Sequence, residues 1–284
     1  MKCWGRNDDG QLGLGDTNDR GDGPGEMGAA LPTVDLGPGR KAVAVAAQAS
    51  ATCARLDDGS AKCWGSNALG SLGLGDSVSR GTTPGQMGAS LPVLDLGPGQ
   101  SVLEISSAPS GFRGEHHQCA VLVGGAVKCW GRNDNGELGL GDVLLRGAVS
   151  ADMGASLAFV ALGAGRTARH ISAGTAHTCA LLDNAKVKCW GANGGGQLGG
   201  VPSSSGPIGD QPDEMGDALP AIDLGTGRTV VELVSGASWS CARLDNGTIK
   251  CWGGNTHGEL GLGDTRDRGG SPSDMGDALP AVDL

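Results

Sequence analysis

The chain has 284 residues, a formal net charge of −10 and a pI of about 4.8. An acidic surface argues against nucleic-acid binding, which depends on Lys and Arg neutralising phosphates, and no apolar run has the length that membrane insertion requires. The 54 glycines show no Gly-x-y period, which favours short strands joined by turns over collagen or helices.

The first element, Lys2–Gly5, reads Lys-Cys-Trp-Gly and recurs along the chain. Its cysteines are Cys3, Cys63, Cys129, Cys189 and Cys251, which are 60, 66, 60 and 62 residues apart. A period of this size indicates an array of structural repeats. We divide the chain into repeats at about 3–62, 63–128, 129–188, 189–250 and 251–284, the last incomplete. Since Met1 falls inside a hairpin, we expect a fragment of a longer repeat protein with further domains beside it.

The segment Thr52–Gly65 predicts a β-hairpin, because apolar and polar residues alternate on both sides of the turn Asp57–Gly59. A three-residue turn sets Leu56 against Ser60 and therefore Cys53 opposite Cys63, within reach of a disulfide. The predicted pairs are Cys53–Cys63, Cys119–Cys129, Cys179–Cys189 and Cys241–Cys251, with Cys3 left over. The alternative is zinc, but structural zinc sites usually use Cys-x-x-Cys, which the chain lacks, so we predict no metal.

The segments between hairpins complete each repeat. A Gly-rich passage (Gly5–Asp16) and a polar insertion loop (Asp16–Gly28) come first. Strand-like segments follow at Leu31–Leu36 and Lys41–Ala46. With the two hairpin strands this gives four strands per repeat, which predicts an all-β chain: a β-propeller of four-stranded blades, incomplete, with about five repeats and almost no helix.

Two kinds of position are candidate ligand contacts. The residue at the entrance to the first hairpin strand, just before the first hairpin cysteine, is Ala51, His117, His177 or Trp239, and such variation is typical of a binding face. The alternative is that these side chains pack locally where the strand begins. The second kind is the loops: the long insertion loops, and the extra residues of the second repeat, where Phe112 and Arg113 are the predicted contacts.

The sequence shows no motif for catalysis or for a cofactor. Gly-x-Ser-x-Gly, P-loop and His-Glu-x-x-His patterns are absent, and we predict no catalytic residue and no cofactor. The carboxylates recur with the repeat (Asp16, Asp76, Asp142 and Asp264), which favours turn capping over catalysis. Calcium bound by Asp16, Asn18, Asp19 and Asp22 is the alternative for the first insertion loop.

The pattern at Gly174–Asp183, followed by Val-Lys-Cys-Trp-Gly and Gly-Gln-Leu-Gly, resembles the regulator-of-chromosome-condensation repeat. Recognisable parts recur in all five copies. The resemblance implies a β-propeller, and the paired cysteines make the chain similar to secreted bacterial members that serve as binding platforms. We therefore predict a non-enzymatic scaffold for an unidentified protein partner, extracellular, periplasmic or at the cell surface. The alternatives are an intracellular exchange-type regulator of a small GTPase, and a propeller hydrolase or lyase.

Overall fold

The computed structural model describes residues 1–108 and 116–283, and its strands form four antiparallel sheets of three strands each. We call these sheets blades 1 to 4. Their strands are β1 (Ala42–Ala47), β2 (Ala51–Leu56) and β3 (Ala61–Gly65); β4 (Val102–Ser107), β5 (His117–Leu122) and β6 (Val127–Gly131); β7 (Ala168–Ala173), β8 (His177–Leu182) and β9 (Val187–Gly191); β10 (Val230–Ser235), β11 (Trp239–Leu244) and β12 (Ile249–Gly253).

Helix in the described residues is limited to three-residue 3₁₀ turns. They are Ala68–Gly70, Gly88–Ser90, Ser150–Asp152, Gly154–Ser156, Ser203–Ser205, Pro272–Asp274 and Gly276–Ala278. Within residues 1–108 and 116–283 there is no helix with the length and apolar character to cross a bilayer.

The hairpin register is the one that the sequence predicts. Leu56 N donates to Ser60 O at 2.8 Å, and Gly59 takes the positive φ of +82° that closes a short turn. Cys53 therefore lies opposite Cys63, and the two are joined by a disulfide with their Cα atoms 4.1 Å apart. The other three predicted pairs are also disulfides, and Cys3 is free.

The prediction of four-stranded blades is wrong: each blade has three strands. The predicted strand at Leu31–Leu36 belongs to none of the sheets of the described residues; its equivalent in the next repeat, the segment 91–96, lies beside β3 but shares one backbone hydrogen bond with it, from Leu94 N to Ala61 O. A ladder needs a succession of such bonds. Here the carbonyls of Asp95 and Leu96 instead accept from Gly154 N and from the ammonium of Lys128 on β6, the third strand of blade 2.

The core lies between consecutive blades. Val187 of blade 3, for example, belongs to one buried cluster with Leu244 and Trp252 of blade 4. The tryptophan on the third strand of each of blades 1 to 4 is fully buried, and its indole N–H donates to a backbone carbonyl of the preceding repeat. These pairs are Trp64 with Gln11 (3.0 Å), Trp130 with Ser71 (3.1 Å), Trp190 with Glu137 (3.0 Å) and Trp252 with Gln197 (3.0 Å). Trp4 is 62% exposed.

Candidate functional site

The loops after the third strands are organised by one buried asparagine per repeat. The Asn133 amide donates to Asp142 O (2.7 Å) and Leu144 O (3.2 Å), and its oxygen accepts from Leu138 N (2.9 Å). The side chain thereby joins the Gly-rich passage to the start of the insertion loop. In the other repeats the asparagine oxygen likewise accepts a hydrogen bond from the backbone N–H of a leucine; these residues are Asn7, Asn67, Asn193 and Asn255. Sequence reasoning missed this residue, although an Asn three positions after each repeat Trp was a usable signal.

The insertion loop is fixed further by an aspartate. Asp142 accepts a hydrogen bond from Leu144 N at 2.9 Å and pairs with Arg146 at 2.6 Å. The same Asp–Arg pair recurs at Asp16–Arg20, Asp76–Arg80 and Asp264–Arg268. Hydrogen bonds from the Arg266 backbone N–H and the Arg268 guanidinium lower the pKa of Asp264. These carboxylates therefore stabilise turns, as their recurrence predicts.

The carboxylates of Asp16 and Asp19, two of the four residues proposed for calcium, already have partners in the first repeat. Asp16 accepts from Asn18 N and pairs with Arg20, while Asp19 accepts from Asn7 N at 2.7 Å. Across residues 1–108 and 116–283 no three His, Cys, Asp or Glu side chains are grouped so that they could hold a metal ion.

The insertion loop of the third repeat differs from those of the first, second and last repeats because it presents three consecutive apolar side chains to solvent. Val143, Leu144 and Leu145 are 49%, 62% and 38% exposed. The corresponding residues are polar in the first and last repeats, Thr17–Asp19 and Thr265–Asp267. We call residues 142–146 the Leu144 loop. Its two ends are held by the Asp142–Arg146 pair and by two backbone bonds between Gly131 and Arg146. A contiguous apolar patch held in one conformation is typical of a protein-contact site.

A second ion pair lies on the neighbouring loop. The guanidinium of Arg132 lies 2.8 Å from the Asp134 carboxylate, and both residues flank Asn133, whose amide bonds to Leu144 O. The apolar patch is therefore bordered by charge, which is the arrangement of an apolar centre with a polar rim found at protein interfaces.

The histidines predicted to meet a ligand are inside the molecule. His117 and His177 are 0% exposed, and each ring joins two blades. His117 Nε2 lies 2.8 Å from Thr178 Oγ1, and His177 Nε2 lies 2.9 Å from Ser240 Oγ. Burial lowers the pKa of His117 to about 3 and that of His177 to about 4. These contacts favour the alternative, local packing at the strand entrance, over ligand contact in this conformation.

The His177–Ser240 pair does not have the properties of a base and a nucleophile. Ser240 is 0% exposed, and an imidazole with a pKa of about 4 is a weak base at neutral pH. The same contact recurs as His117–Thr178 at the preceding interface. Repetition between successive blades indicates a structural bridge.

Trp239 occupies the same strand position as the histidines but is half-buried. It lines an open depression of about 620 Å³ beside blade 4, together with Val234 and Ile249 of that blade and with His170 and Leu181 of blade 3. Phe112 and Arg113 lie outside the described residues. The structure therefore places the predicted site residues apart: two in the interior, one at the end of the array and two outside the described ranges.

Glu104 and Glu232, on the first strands of blades 2 and 4, each pair with a basic side chain. His170 on β7 contacts the Glu104 carboxylate at 2.6 Å and Leu233 O at 2.9 Å, so one ring joins three blades. The hydrogen bond to Glu104 raises the pKa of His170. On blade 4, Arg243 pairs with Glu232 at 2.6 Å.

Comparison with known families and proteins gives the following matches. Residues 3–54, 168–197 and 230–259 match family models described as the Regulator of chromosome condensation (RCC1) repeat. The "Ultraviolet-B receptor UVR8" of Arabidopsis thaliana is 29% identical over 272 residues, 94% of this chain and 52% of the receptor. The "Protein RCC2 homolog" of Xenopus laevis is 30% identical over 145 residues, 51% of this chain and 25% of that protein. The chain thus spans about half the length of the plant relative and less of the frog protein.

Two solved structures share the fold. Human WBSCR16 superposes with a TM-score of 0.66 at 18% identity, covering 98% of this chain and 61% of that one. Yeast RCC1 (Prp20), solved with Kap60, gives a TM-score of 0.54 at 17% identity, covering 99% of this chain and 70% of that one. Identities this low support the fold alone.

Proposed function

The chain is a regulator of chromosome condensation (RCC1) repeat protein, and from that premise we propose that it is a non-enzymatic, extracellular or cell-surface scaffold that binds a protein partner through the Leu144 loop. The single observation that carries the proposal is the exposed triplet Val143–Leu145. A soluble protein seldom leaves three consecutive apolar side chains in solvent unless they meet another molecule.

The loop is suited to recognition because it is rigid before binding. Asn133, the Asp142–Arg146 pair and the Gly131 bonds fix its backbone, so little conformational entropy is lost when a partner binds. The partner surface that fits is an apolar pocket for Leu144, edged by groups that pair with Arg132 and Asp134. The equivalent loops of the first and last repeats share the scaffold but are polar, so they lack this apolar centre.

The proposed compartment depends on the disulfides. Four disulfides, each within one hairpin, persist where the surroundings are oxidising and are rare in the cytosol. Resemblance to the secreted cysteine-bearing bacterial members supports the same location. An intracellular exchange-type regulator would instead carry these cysteines as thiols.

A non-enzymatic role is supported because the buried histidines and the insertion-loop aspartates, which could act in catalysis, already have structural partners. The buried histidines bridge hydroxyls between blades, and the insertion-loop aspartates of the first, second, third and fifth repeats pair with arginines. A hydrolase or lyase would need a solvent-accessible base beside a substrate pocket.

The test is a binding screen of the oxidised chain against an array of secreted and cell-surface proteins from the organism that makes it. For each binder we expect Leu144→Asp to weaken the affinity at least tenfold, because a charge replaces the apolar centre of the contact. Val78→Asp is the matched control, since Val78 is 57% exposed at the equivalent loop of the second repeat. Binders that tolerate Leu144→Asp but are lost with Val78→Asp would contradict the proposed surface.

A further inference from the structure

Blade 1 contains an arginine that has no ion-pair partner among residues 1–108 and 116–283. Arg55 lies on β2 in register with Ala44 of β1, and its side chain is half-buried. Its Nε is covered from solvent and makes no hydrogen bond to a described residue. A guanidinium is always charged and can only donate, so a covered N–H without an acceptor is costly. Arg55 therefore has hydrogen-bonding capacity that these residues do not use.

The equivalent arginine of blade 4 shows which group fits this position. Arg243 is in register with Glu232 of the first strand of its blade, as Arg55 is with Ala44. The Nε of Arg243 donates to one carboxylate oxygen at 3.0 Å, and its Nη2 donates to the other at 2.6 Å. A planar guanidinium favours such a two-pronged pair with a carboxylate. Blade 1 has alanine in place of the glutamate, and the nitrogen left without a partner is the same Nε.

A cleft of about 220 Å³ lies between blades 1 and 2, and both Arg55 and Ala44 line it. The volume is roughly seven times that of one water in the liquid, so a short carboxylic acid fits. Its apolar walls include Val45 of β1 and Leu103 and Ile105 of β4. Val45 and Leu103 are each 49% exposed, so solvent reaches the edge of the cleft. A cation beside apolar walls suits a carboxylate on a short hydrocarbon chain.

The nearest acidic side chain of the cleft is engaged elsewhere. Glu104 also lines the cleft, but its carboxylate contacts His170 Nδ1 of blade 3 at 2.6 Å. Glu104 forms no ion pair with Arg55, since Arg55 has none within the described ranges. The cleft thus keeps one cation without a counter-charge.

We propose that the cleft between blades 1 and 2 binds a carboxylate, which pairs with the guanidinium of Arg55 as Glu232 pairs with Arg243. The guanidinium turns toward the cleft, and Nε gains its acceptor. The ligand is a carboxylate on a short apolar chain, which is the chemistry of a glutamate side chain and of a small free acid. The cleft shares no residue with the Leu144 loop, so this site is independent of the function proposed above.

The experiment follows the arginine Nε–H signals in nuclear magnetic resonance spectra of the nitrogen-15-labelled, oxidised chain at pH 7. Arg55→Lys assigns the Arg55 signal by its loss. The probes are sodium propionate, a free acid, and N-acetylglutamate amide, which carries the side chain; N-acetylglutamine amide and NaCl are the controls. We expect the Arg55 signal to move with saturation as a carboxylate probe is added, while the Arg243 signal, already paired, stays in place. A response to propionate alone assigns the site to a free acid, and a response to both probes assigns it to an acidic side chain as well.

A variant on β1 tests the geometry. Ala44→Glu places a carboxylate where blade 4 has one, so the Arg55 signal of the free variant should lie near that of Arg243. Its affinity for propionate should fall at least about tenfold, because the charge-assisted pair is already formed within the chain. Val93→Glu is the matched control, since Val93 is 49% exposed and does not line the cleft. The same added charge should there leave the affinity unchanged.

Four results would overturn the inference. Neither carboxylate could move the Arg55 signal with saturation. NaCl could move it as far as propionate does, which would indicate an adventitious ion only. Ala44→Glu could bind propionate as tightly as the parent chain. The Arg55 signal of the free parent could already lie at the Arg243 position and leave it in Glu104→Gln, which would make Glu104 the partner of Arg55.

Discussion

Acidification from pH 7 to pH 5 should destabilise the fold through His117 and His177. Both rings are fully buried and neutral, and burial lowers their pKa values to about 3 and about 4. The unfolded chain has an ordinary histidine pKa of about 6.5 and therefore takes up protons first as the pH falls. Stability is complete above about pH 6.5 and is lost progressively below it, down to the folded-state pKa values.

The magnitude follows from proton linkage. A group with a pKa of about 4 folded and about 6.5 unfolded removes about 2 kcal/mol of stability between pH 7 and pH 5. His117 contributes a similar amount over this range, so the two together remove about 4 kcal/mol. That is a large part of the roughly 5–15 kcal/mol that stabilises a typical domain.

The assay is urea unfolding of the oxidised chain at pH 7, 6 and 5, followed by tryptophan fluorescence, with His117→Gln/His177→Gln as the comparison. Two groups act in the opposite direction: a hydrogen bond to Glu104 raises the pKa of His170, and burial raises the pKa of Glu137. Both remain in the double variant, so the difference between the two proteins isolates the buried pair. A double variant that loses as much stability as the parent between pH 7 and pH 5 would refute the reasoning.

Three further predictions concern stability at pH 7. Trp252→Phe removes the hydrogen-bond donor to Gln197 O, and it should lower the free energy of unfolding measured in urea by about 2 kcal/mol or more, because the carbonyl stays buried without its partner. A change within error of zero would show that this hydrogen bond between repeats does not stabilise the fold. Asn255→Ala should cost about 2–4 kcal/mol by the same assay, whereas the exposed turn variant Asn246→Ala should cost well under half of that. Cys63→Ser should lower the melting temperature in calorimetry without reductant, as expected for loss of a bridge that contributes about 2–3 kcal/mol; an unchanged melting temperature would count against that bridge.

Local chemistry explains which parts of the fold could be read from the sequence. The turn Asp57–Gly59 has a fixed length and the flanking residues alternate with period two, so the pairing of Cys53 with Cys63 follows without tertiary information. The family assignment follows similarly from residues that recur in register.

The absence of a fourth strand and the position of the candidate site could not be predicted, because both depend on contacts between segments that are distant in sequence. Segment 91–96 has the alternation of a strand, but whether it joins a ladder depends on which groups of the next repeat take its carbonyls. The partners of Asn133 lie 5, 9 and 11 residues away across a loop. Variation at the position of Ala51 and His177 does not distinguish a solvent face from a blade junction, and the junction contact of His177 is visible only in three dimensions.

The proposed extracellular role depends most on the oxidation state of the cysteines in the cell that makes the protein. The direct measurement is to alkylate free thiols at the moment of lysis, unfold the protein without reductant and count the modified cysteines by intact mass and peptide mapping. An exported scaffold should show one label, on Cys3, and eight more only after reduction. Nine labels before reduction would contradict the disulfides and the extracellular role together.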